Sequence, residues 1–482
     1  MEPVLSLSIS VPPRGSRARL RTLHAQLRDG IVQGRLHAGL LLPSTRVLAH
    51  EYGVSRNTAV AAYDLLAAEG YVVTRPGGGT FVAAVAPRRS ERSRRSTAEA
   101  DDARLNRYWR YRSAMTPPAQ LPGIAFDFAL GLPDKGMFPF DIWRRLSARS
   151  LRTLSRTPAA YAEAQGRASL REAASAHASY ARAVSCAADD LVITSGAQQA
   201  FDLLARILVT PGKTVVAVED PGYPPLRRAF EAAGARIAAV AVDAEGMRID
   251  RIPRGAKIVC VTPSHQFPLG MPLSMERRKA LLELARRRQA VIVEDDYDGE
   301  YRFGGRPLDA LQTLDREQCV FYVGTFSKSL FPALRLGYVV APPWARNALI
   351  AAKQAADWHC AVLAQDTLAA FIAAGHLARH VRKMRRIYGE RRDALLEALA
   401  RHFDGLLDVL ASDTGLHIAC TSKSAGRIRA LLARARENGI RLQSIEDFTM
   451  GPSHRHGIVF GLGRMSSEEI DRGIRKLASL AR

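Results

Sequence analysis

Glu294-Asp295-Asp296-Tyr297 follows directly on the apolar run Val291-Ile292-Val293, and thirty-three residues beyond Asp295 stands Lys328, in Gly324-Thr325-Phe326-Ser327-Lys328, with Arg335 shortly after. A lysine amine can form an imine with an aldehyde. A carboxylate can keep a pyridine nitrogen protonated, so that the ring becomes an electron sink, and a phenol can bond a ring oxygen. The hydroxyls around Lys328 and the Arg335 guanidinium suit a phosphate. Upstream, Thr194-Ser195-Gly196-Ala197-Gln198-Gln199 follows Leu191-Val192-Ile193 and opens a helix whose first amides and Ser195 hydroxyl can hold a phosphate dianion. Each piece has an ordinary alternative: Ser-Gly often only caps a helix, an acidic run can be a surface turn, and Ser-Lys is commonly a solvated loop. Jointly they supply a phosphate holder, a pyridinium carboxylate and a Schiff-base lysine, the requirements of pyridoxal 5'-phosphate.

Those residues need a sheet to converge. Leu191-Val192-Ile193, Val215-Val216-Ala217-Val218, Ile258-Val259-Cys260-Val261, Val291-Ile292-Val293, Val320-Phe321-Tyr322-Val323 and Gly337-Tyr338-Val339-Val340 are continuous apolar runs, the pattern of strands buried on both faces of a mostly parallel sheet. Helical segments alternate with them, so an α/β domain over 124–482 is expected, with ligands at the carboxyl ends of the strands. Residues 346–482 are helix-rich, with strands near Leu416-His417-Ile418-Ala419 and Ile458-Val459-Phe460. They suit much of a smaller α+β subdomain.

Ahead of this domain the pattern is different. Leu20, Leu23, Leu27 and Ile31 predict a helix ending near Gly34, Ser44 caps a second short helix, and Val54-Ser55 turns into a third that stops at Gly70. Tyr71-Val72-Val73-Thr74 and Thr80-Phe81-Val82 flank Arg75-Pro76-Gly77-Gly78-Gly79 as two strands and a wing. Residues 15–82 thus read as a winged helix-turn-helix. Arg56, Asn57 and Thr58 open the third helix after Ser55, where side chains reach base edges or phosphates, while Arg46 and the Gly79-Thr80 wing would hold phosphates. A winged helix can also serve protein contacts. Residues 83–123, including Pro87-Arg88-Arg89-Ser90, are expected to be a basic flexible linker.

The chain has 482 residues and a formal net charge of +22, spread as +4 over 1–82, +5 over 83–123 and +13 over the remainder. Basicity alone therefore does not assign DNA. With no apolar run of about 18 residues and no basic-then-apolar start, neither a membrane nor export is expected, and the cytoplasm is the expected location. The five cysteines lack a Cys-x-x-Cys pair and read as reduced core thiols. His265, His417, His454 and His456 show no metal-ligand spacing, so no metal site is expected.

Residues 126–482 resemble a fold type I aminotransferase domain, and the whole chain resembles the MocR/GabR-type subfamily of GntR regulators. Ile193 to Gln199, Glu219-Asp220-Pro221-Gly222-Tyr223-Pro224, Thr262 to Gly270, Glu294 to Asp298, and Gly324 to Arg335 carry that resemblance, with Leu42 to Arg46 and Gly53 to Thr58 in the head. It implies that Lys328 carries the cofactor as an imine, Asp295 pairs with the pyridinium nitrogen, Tyr297 bonds the ring oxygen and Tyr223 stacks on the ring. Ser195, Gly196, Ala197, Ser327 and Arg335 would surround the phosphate. Tyr161 would reach the phosphate of the neighbouring subunit in a homodimer. The chain has Phe267-Pro268-Leu269-Gly270 where many relatives carry Asn-Pro-x-Gly, so His265 or Gln266 is the candidate to replace the missing amide, and Arg455 or Arg441 is the candidate for an effector carboxylate. The resemblance implies a regulator that binds paired half-sites on double-stranded DNA and senses pyridoxal phosphate, or an amine or amino-acid effector, through aldimine chemistry. The alternative is an active aminotransferase with a DNA-binding head.

Overall fold

The computed structural model describes residues 7, 9–13, 16, 18–83, 104, 106–110, 123–304, 309–410, 413–451 and 455–481, and the chain divides into two compact units, 1–114 and 115–482. In the first, Leu23, Leu27 and Ile31 form the buried face of α1 (Arg19–Val32). The Ser44 hydroxyl accepts from Val47 N at 3.3 Å to cap α2 (Thr45–Glu51), and Ser55 does the same for Thr58 N at 3.1 Å ahead of α3 (Arg56–Ala68). Tyr63 pins α3 by donating to Pro43 O at 2.9 Å. Antiparallel β1 (Val72–Arg75) and β2 (Gly79–Val82) form the wing. Leu7 is buried in the same core and its carbonyl accepts from Tyr52 Oη at 3.1 Å, so chain ahead of residue 15 also packs on this unit. A single turn, α4 (Arg107–Arg110), sets Tyr108 edge-on to Trp109. Most of the basic run between 84 and 122 lies outside the described residues.

The second unit starts with β3 (Phe126–Asp127), α5 (Phe140–Leu154) and α6 (Ala168–Arg182). Strands and helices then alternate: β4 (Leu191–Thr194), α7 (Ala197–Leu208), β5 (Val215–Asp220), α8 (Pro224–Ala232), β6 (Arg236–Asp243), β7 (Gly246–Met247), β8 (Ala256–Val261), α9 (Met275–Arg288), β9 (Val291–Asp296), β10 (Val320–Thr325) and β11 (Gly337–Val340). They build one eight-stranded sheet in the order β4-β11-β10-β9-β8-β5-β6-β7. Neighbours from β10 to β6 pair in parallel, whereas β11 runs antiparallel to both β10 and β4. Apolar layers cover both faces, as the continuous runs predict.

Helices α10 (Pro343–Asp357) and α11 (Val362–Ala373) return onto the large sheet. The long α12 (His376–Phe403) leaves it: Met384 and Tyr388 sit in the large core, while Leu395, Leu399 and Phe403 belong to another. That second core covers an antiparallel sheet of β12 (Asp408–Val409), β13 (His417–Ser422), β15 (Gln443–Ser444) and β16 (His456–Gly461), with α13 (Ala425–Glu437) and α14 (Ser467–Leu480). Phe128 completes it, because β3 pairs in parallel with β14 (Ile440–Arg441). The smaller subdomain therefore draws on the start of the second unit as well as its end.

Candidate functional site

Four carboxylates crowd the end of β9, and a buried carboxylate needs a partner or a proton. Strand alternation sends Glu294 and Asp296 to one face and Asp295 to the other. Glu294 accepts from the amides of Leu311 and Gln312, both at 2.8 Å. Asp296 takes Arg182 Nε at 2.6 Å and Tyr322 Oη at 2.7 Å, and Asp298 faces His265 Nδ1 at 3.1 Å. Asp295 is 3% exposed, and its Oδ1 is buried with no hydrogen-bond partner among the described residues. Burial, with Asp296 adding to it, pushes the Asp295 carboxyl up to about 8.

Asp295 opens onto a cavity of about 650 Å³ whose wall includes Lys328, Tyr223, Tyr297, Ser327 and Arg335. Lys328 follows the end of β10, and its Nζ donates to Gly131 O at 2.7 Å. Burial lowers the Lys328 pKa against the pull of Asp298 and Asp295, enlarging the neutral, nucleophilic fraction. Gly131, at φ +69°, is a residue the sequence reading did not single out: a Cβ there would stand 2.6 Å from Nζ. Its signal was weak, since Gly-Leu-Pro ahead of a helix reads as an ordinary turn.

At the phosphate-like end, Ala197 lines the cavity at the start of α7, which has no side-chain cap on its first amides. Ser195 and Gly196 stand behind it. The Ser195 carbonyl accepts from Arg335 Nη2 at 2.6 Å, its amide donates to Gln199 Oε1 at 2.8 Å and its hydroxyl lies 3.4 Å from Cys360 Sγ. The Arg335 guanidinium occupies the space where a Gly196 Cβ would stand. Tyr223, just ahead of α8, presents its ring to the cavity and packs edge-on against Phe267.

The Tyr297 hydroxyl is engaged with His265, 2.9 Å from Nδ1 and 3.0 Å from the carbonyl oxygen. His265 lies beneath Tyr297, behind the cavity wall. Gln266 is consumed by the backbone, its Nε2 donating to Pro221 O at 2.9 Å and Phe267 O at 2.7 Å. Of the two arginine candidates, Arg441 lines the cavity, 3.8 Å from Asp127, whereas Arg455 donates to Val242 O at 2.8 Å and is not part of the wall. Arg227 and Arg228 also line it, and were missed; Tyr223-Pro224-Pro225 marks a helix start at a strand end, which could have located them. Tyr161 is 77% exposed, its ring against Trp358.

His265, Asp298 and His417 come together with ligand-type atoms within 4.8 Å, although 152 positions separate the two histidines. His417 Nε2 donates to Pro268 O at 3.0 Å and His265 Nδ1 lies 3.1 Å from Asp298, while His265 Nε2 has no hydrogen-bond partner among the described residues. Burial lowers His417 to about 3, so it is neutral. His456 pairs with Glu446, and His454 lies outside the described residues.

In the head, Arg46, Arg56 and Asn57 are exposed, as is Gly79, while Thr58 and Thr80 are half-buried. The Ser55 hydroxyl is spent on Thr58, bonding its amide and, at 2.8 Å, its hydroxyl. Arg75, not singled out from sequence, is exposed on β1 with its guanidinium over the Phe81 ring.

Residues 20–82 match the family of bacterial regulatory proteins of the gntR family, and residues 126–477 match aminotransferase class I and II. The probable rhizopine catabolism regulatory protein MocR of Rhizobium meliloti is 34% identical, over 95% of this chain and 93% of its own length. The chain belongs to the MocR-type family of GntR transcriptional regulators. Another relative of this MocR-type chain is the HTH-type pyridoxine biosynthesis transcriptional regulator PdxR of Corynebacterium glutamicum, 29% identical over 95% of the chain and 94% of its own length. Among solved structures, the kynurenine aminotransferase of Pyrococcus horikoshii is 30% identical at a TM-score of 0.69, covering 75% of the MocR-type chain and 91% of the aminotransferase. The regulator thus joins a GntR-type helix-turn-helix to a fold type I aminotransferase domain.

Proposed function

We propose that this regulator binds double-stranded DNA through its winged head and holds pyridoxal 5'-phosphate, with an amine or amino-acid effector, in the 650 Å³ cavity. The observation that carries the reading is Asp295, whose buried oxygen has no hydrogen-bond partner among the described residues and which shares a cavity with the Lys328 amine. A protonated pyridine nitrogen is the complement of that oxygen, and the glycine at 131 leaves room at the amine. When bound, pyridoxal phosphate supplies an aldehyde able to condense with a primary amine and a ring that accepts electron density.

Asp295 holds a proton at neutral pH and can hand it to a ring nitrogen set against it. Lys328, with its lowered pKa, would serve as the amine that captures the aldehyde. Tyr223 would cover the ring and Tyr297 bond its oxygen. Ala197, Ser327 and Arg335 would hold the phosphate, with Ser195 and Gly196 supporting Arg335 and the start of α7. Exposed Tyr161 fits a contact to the phosphate of a second subunit, which makes a homodimer the expected assembly. Arg441 is the favoured partner for an effector carboxylate, with Arg455 set back from the cavity.

Sensing follows if the effector binds two arrangements of the subdomains with different affinity, since only that difference can shift their equilibrium and the DNA contacts of Arg46, Arg56, Asn57, Thr58 and the Gly79-Thr80 wing. No helix among the described residues is long and apolar enough to cross a membrane. Binding to DNA makes the cytoplasm the expected location. The test is reconstitution with pyridoxal phosphate, borohydride reduction and mapping of the added mass, beside footprinting of promoter fragments with and without the cofactor. A mass confined to Lys328 together with cofactor-dependent footprints supports the reading. An unmodified Lys328, or no DNA binding in any state, overturns it. Multiple-turnover transfer of an amino group to a 2-oxo acid would favour the aminotransferase alternative.

A further inference from the structure

Resting on that cofactor reading, we propose that His265 and Asp298 are positioning residues that orient the Tyr297 hydroxyl proton and tie it to residues 413–417, the segment that leads into β13 of the smaller subdomain, so that cavity occupancy is transmitted to that subdomain. His265 Nδ1 lies 3.1 Å from both Asp298 oxygens and 2.9 Å from the Tyr297 oxygen. One ring nitrogen carries one proton or one lone pair, so this geometry forces a choice. Although burial pushes the Asp298 carboxyl up, His265 and its hydrogen bond hold it below the usual carboxylate range, and an ionised carboxylate only accepts. The hydrogen-bond network therefore assigns the proton to Nδ1. Tyr297 cannot donate to a protonated Nδ1. Its hydrogen goes to the His265 carbonyl at 3.0 Å, while its oxygen accepts from Nδ1. An acceptor entering the cavity above Tyr297 must compete for that one phenolic hydrogen.

The other side of Asp298 faces the segment that leads into β13 of the smaller subdomain, whose Leu416 side chain packs in the large core. Its Oδ2 accepts from Leu416 N at 3.1 Å, Gly415 N donates to Tyr301 O at 2.7 Å, and His417 Nε2 donates to Pro268 O at 3.0 Å. Gly415, at φ +89°, lies so close to the His265 ring that a Cβ would overlap it. His265, Asp298 and His417 are 1–2% exposed, and the His265 Nε2 has no hydrogen-bond partner among the described residues. From the half-buried phenol on the cavity wall the path runs through a buried imidazole and a buried carboxylate to the amide that leads into β13. A change in where the phenol points alters the load on Nδ1, hence on Asp298, hence on Leu416.

The test compares full-length wild type with Asp298→Asn, His265→Asn and Tyr297→Phe, using pyridoxal 5'-phosphate as the probe. Asn at 298 has one acceptor oxygen for two donors and an N–H of its own, so it no longer fixes the direction at Nδ1 while also accepting from Leu416. Asn at 265 places an N–H near the Nδ1 position and is the conservative rescue. Expected are cofactor-dependent slowing of amide exchange at 413–417 in wild type, about tenfold for one charge-assisted hydrogen bond, retention of it in His265→Asn, and its loss with a shifted absorption maximum of the bound cofactor in Asp298→Asn. Should Asp298→Asn fail to fold, Tyr297→Phe keeps the carboxylate and the Leu416 bond and is expected to lose the same slowing. Unchanged absorption and unchanged cofactor-dependent exchange in the folded variants overturn this inference alone. Wild type that captures no cofactor at Lys328 overturns it together with the reading on which it rests.

Discussion

Asp295→Asn should move stability and cofactor retention in opposite directions. In the cofactor-free protein the Asp295 carboxyl is pushed by burial from its ordinary 3.8 to about 8. The folded state therefore keeps its proton through a pH range in which the unfolded chain releases it. Where the folded state binds more protons, stability falls as pH rises, at about 1.4 kcal/mol per unit for one group. Between pH 5 and pH 7 that amounts to about 3 kcal/mol, less whatever is recovered as water enters the cavity. The asparagine variant has no proton to lose there and escapes this slope. Urea denaturation of cofactor-free protein, followed by tryptophan fluorescence, should show the variant gaining on wild type as pH rises from 5 to 7. Saturating pyridoxal phosphate should reverse the order, because binding stabilises only the protein that retains the ligand. Parallel pH profiles for the two cofactor-free proteins would refute the picture of a neutral, partnerless carboxyl.

Lys328→Ala should remove the borohydride-stable mass addition while leaving footprints of the cofactor-free head unchanged. Gly131→Ala places a methyl 2.6 Å from the Lys328 amine, so capture of the aldehyde should slow markedly, measured as the rate of mass addition, with the far-ultraviolet dichroism unaltered. Arg56→Ala should cost about 1–3 kcal/mol at one base pair and relax selectivity there in a binding titration, with Lys328 still modified. Ser44→Ala removes the cap of α2 and should lower the head's stability by about 1 kcal/mol in a thermal melt.

Much of the fold was legible because its signals are local. Val291-Ile292-Val293 and its counterparts are apolar without alternation, which requires cover on both faces, and the parallel core of the large sheet has that cover. Ser44 and Ser55 stand where free amides need an acceptor, and both are caps. Pairing across the chain was not legible. Residues 126–128 fall at the start of the expected α/β domain, yet β3 joins β14 and Phe128 fills the smaller core, since nothing in a two-residue strand names its partner.

The sequence by itself determined which residue types gather at the strand ends: an amine, carboxylates, hydroxyls and an arginine, because strand period and helix start decide that within a few residues. Only the tertiary structure decided which of the carboxylates between 294 and 298 has no hydrogen-bond donor among the described residues. Arg182 takes Asp296, the Leu311 and Gln312 amides take Glu294, and His265 with Leu416 takes Asp298, each partner arriving from elsewhere in the chain. It likewise placed Arg441 in the cavity and Arg455 outside it, and set the His417 ring at a tilt against His265. The physical reason is the same throughout. Whether a buried polar group is satisfied depends on atoms brought within about 3 Å by packing, and that distance is not written in the spacing of residues along the chain.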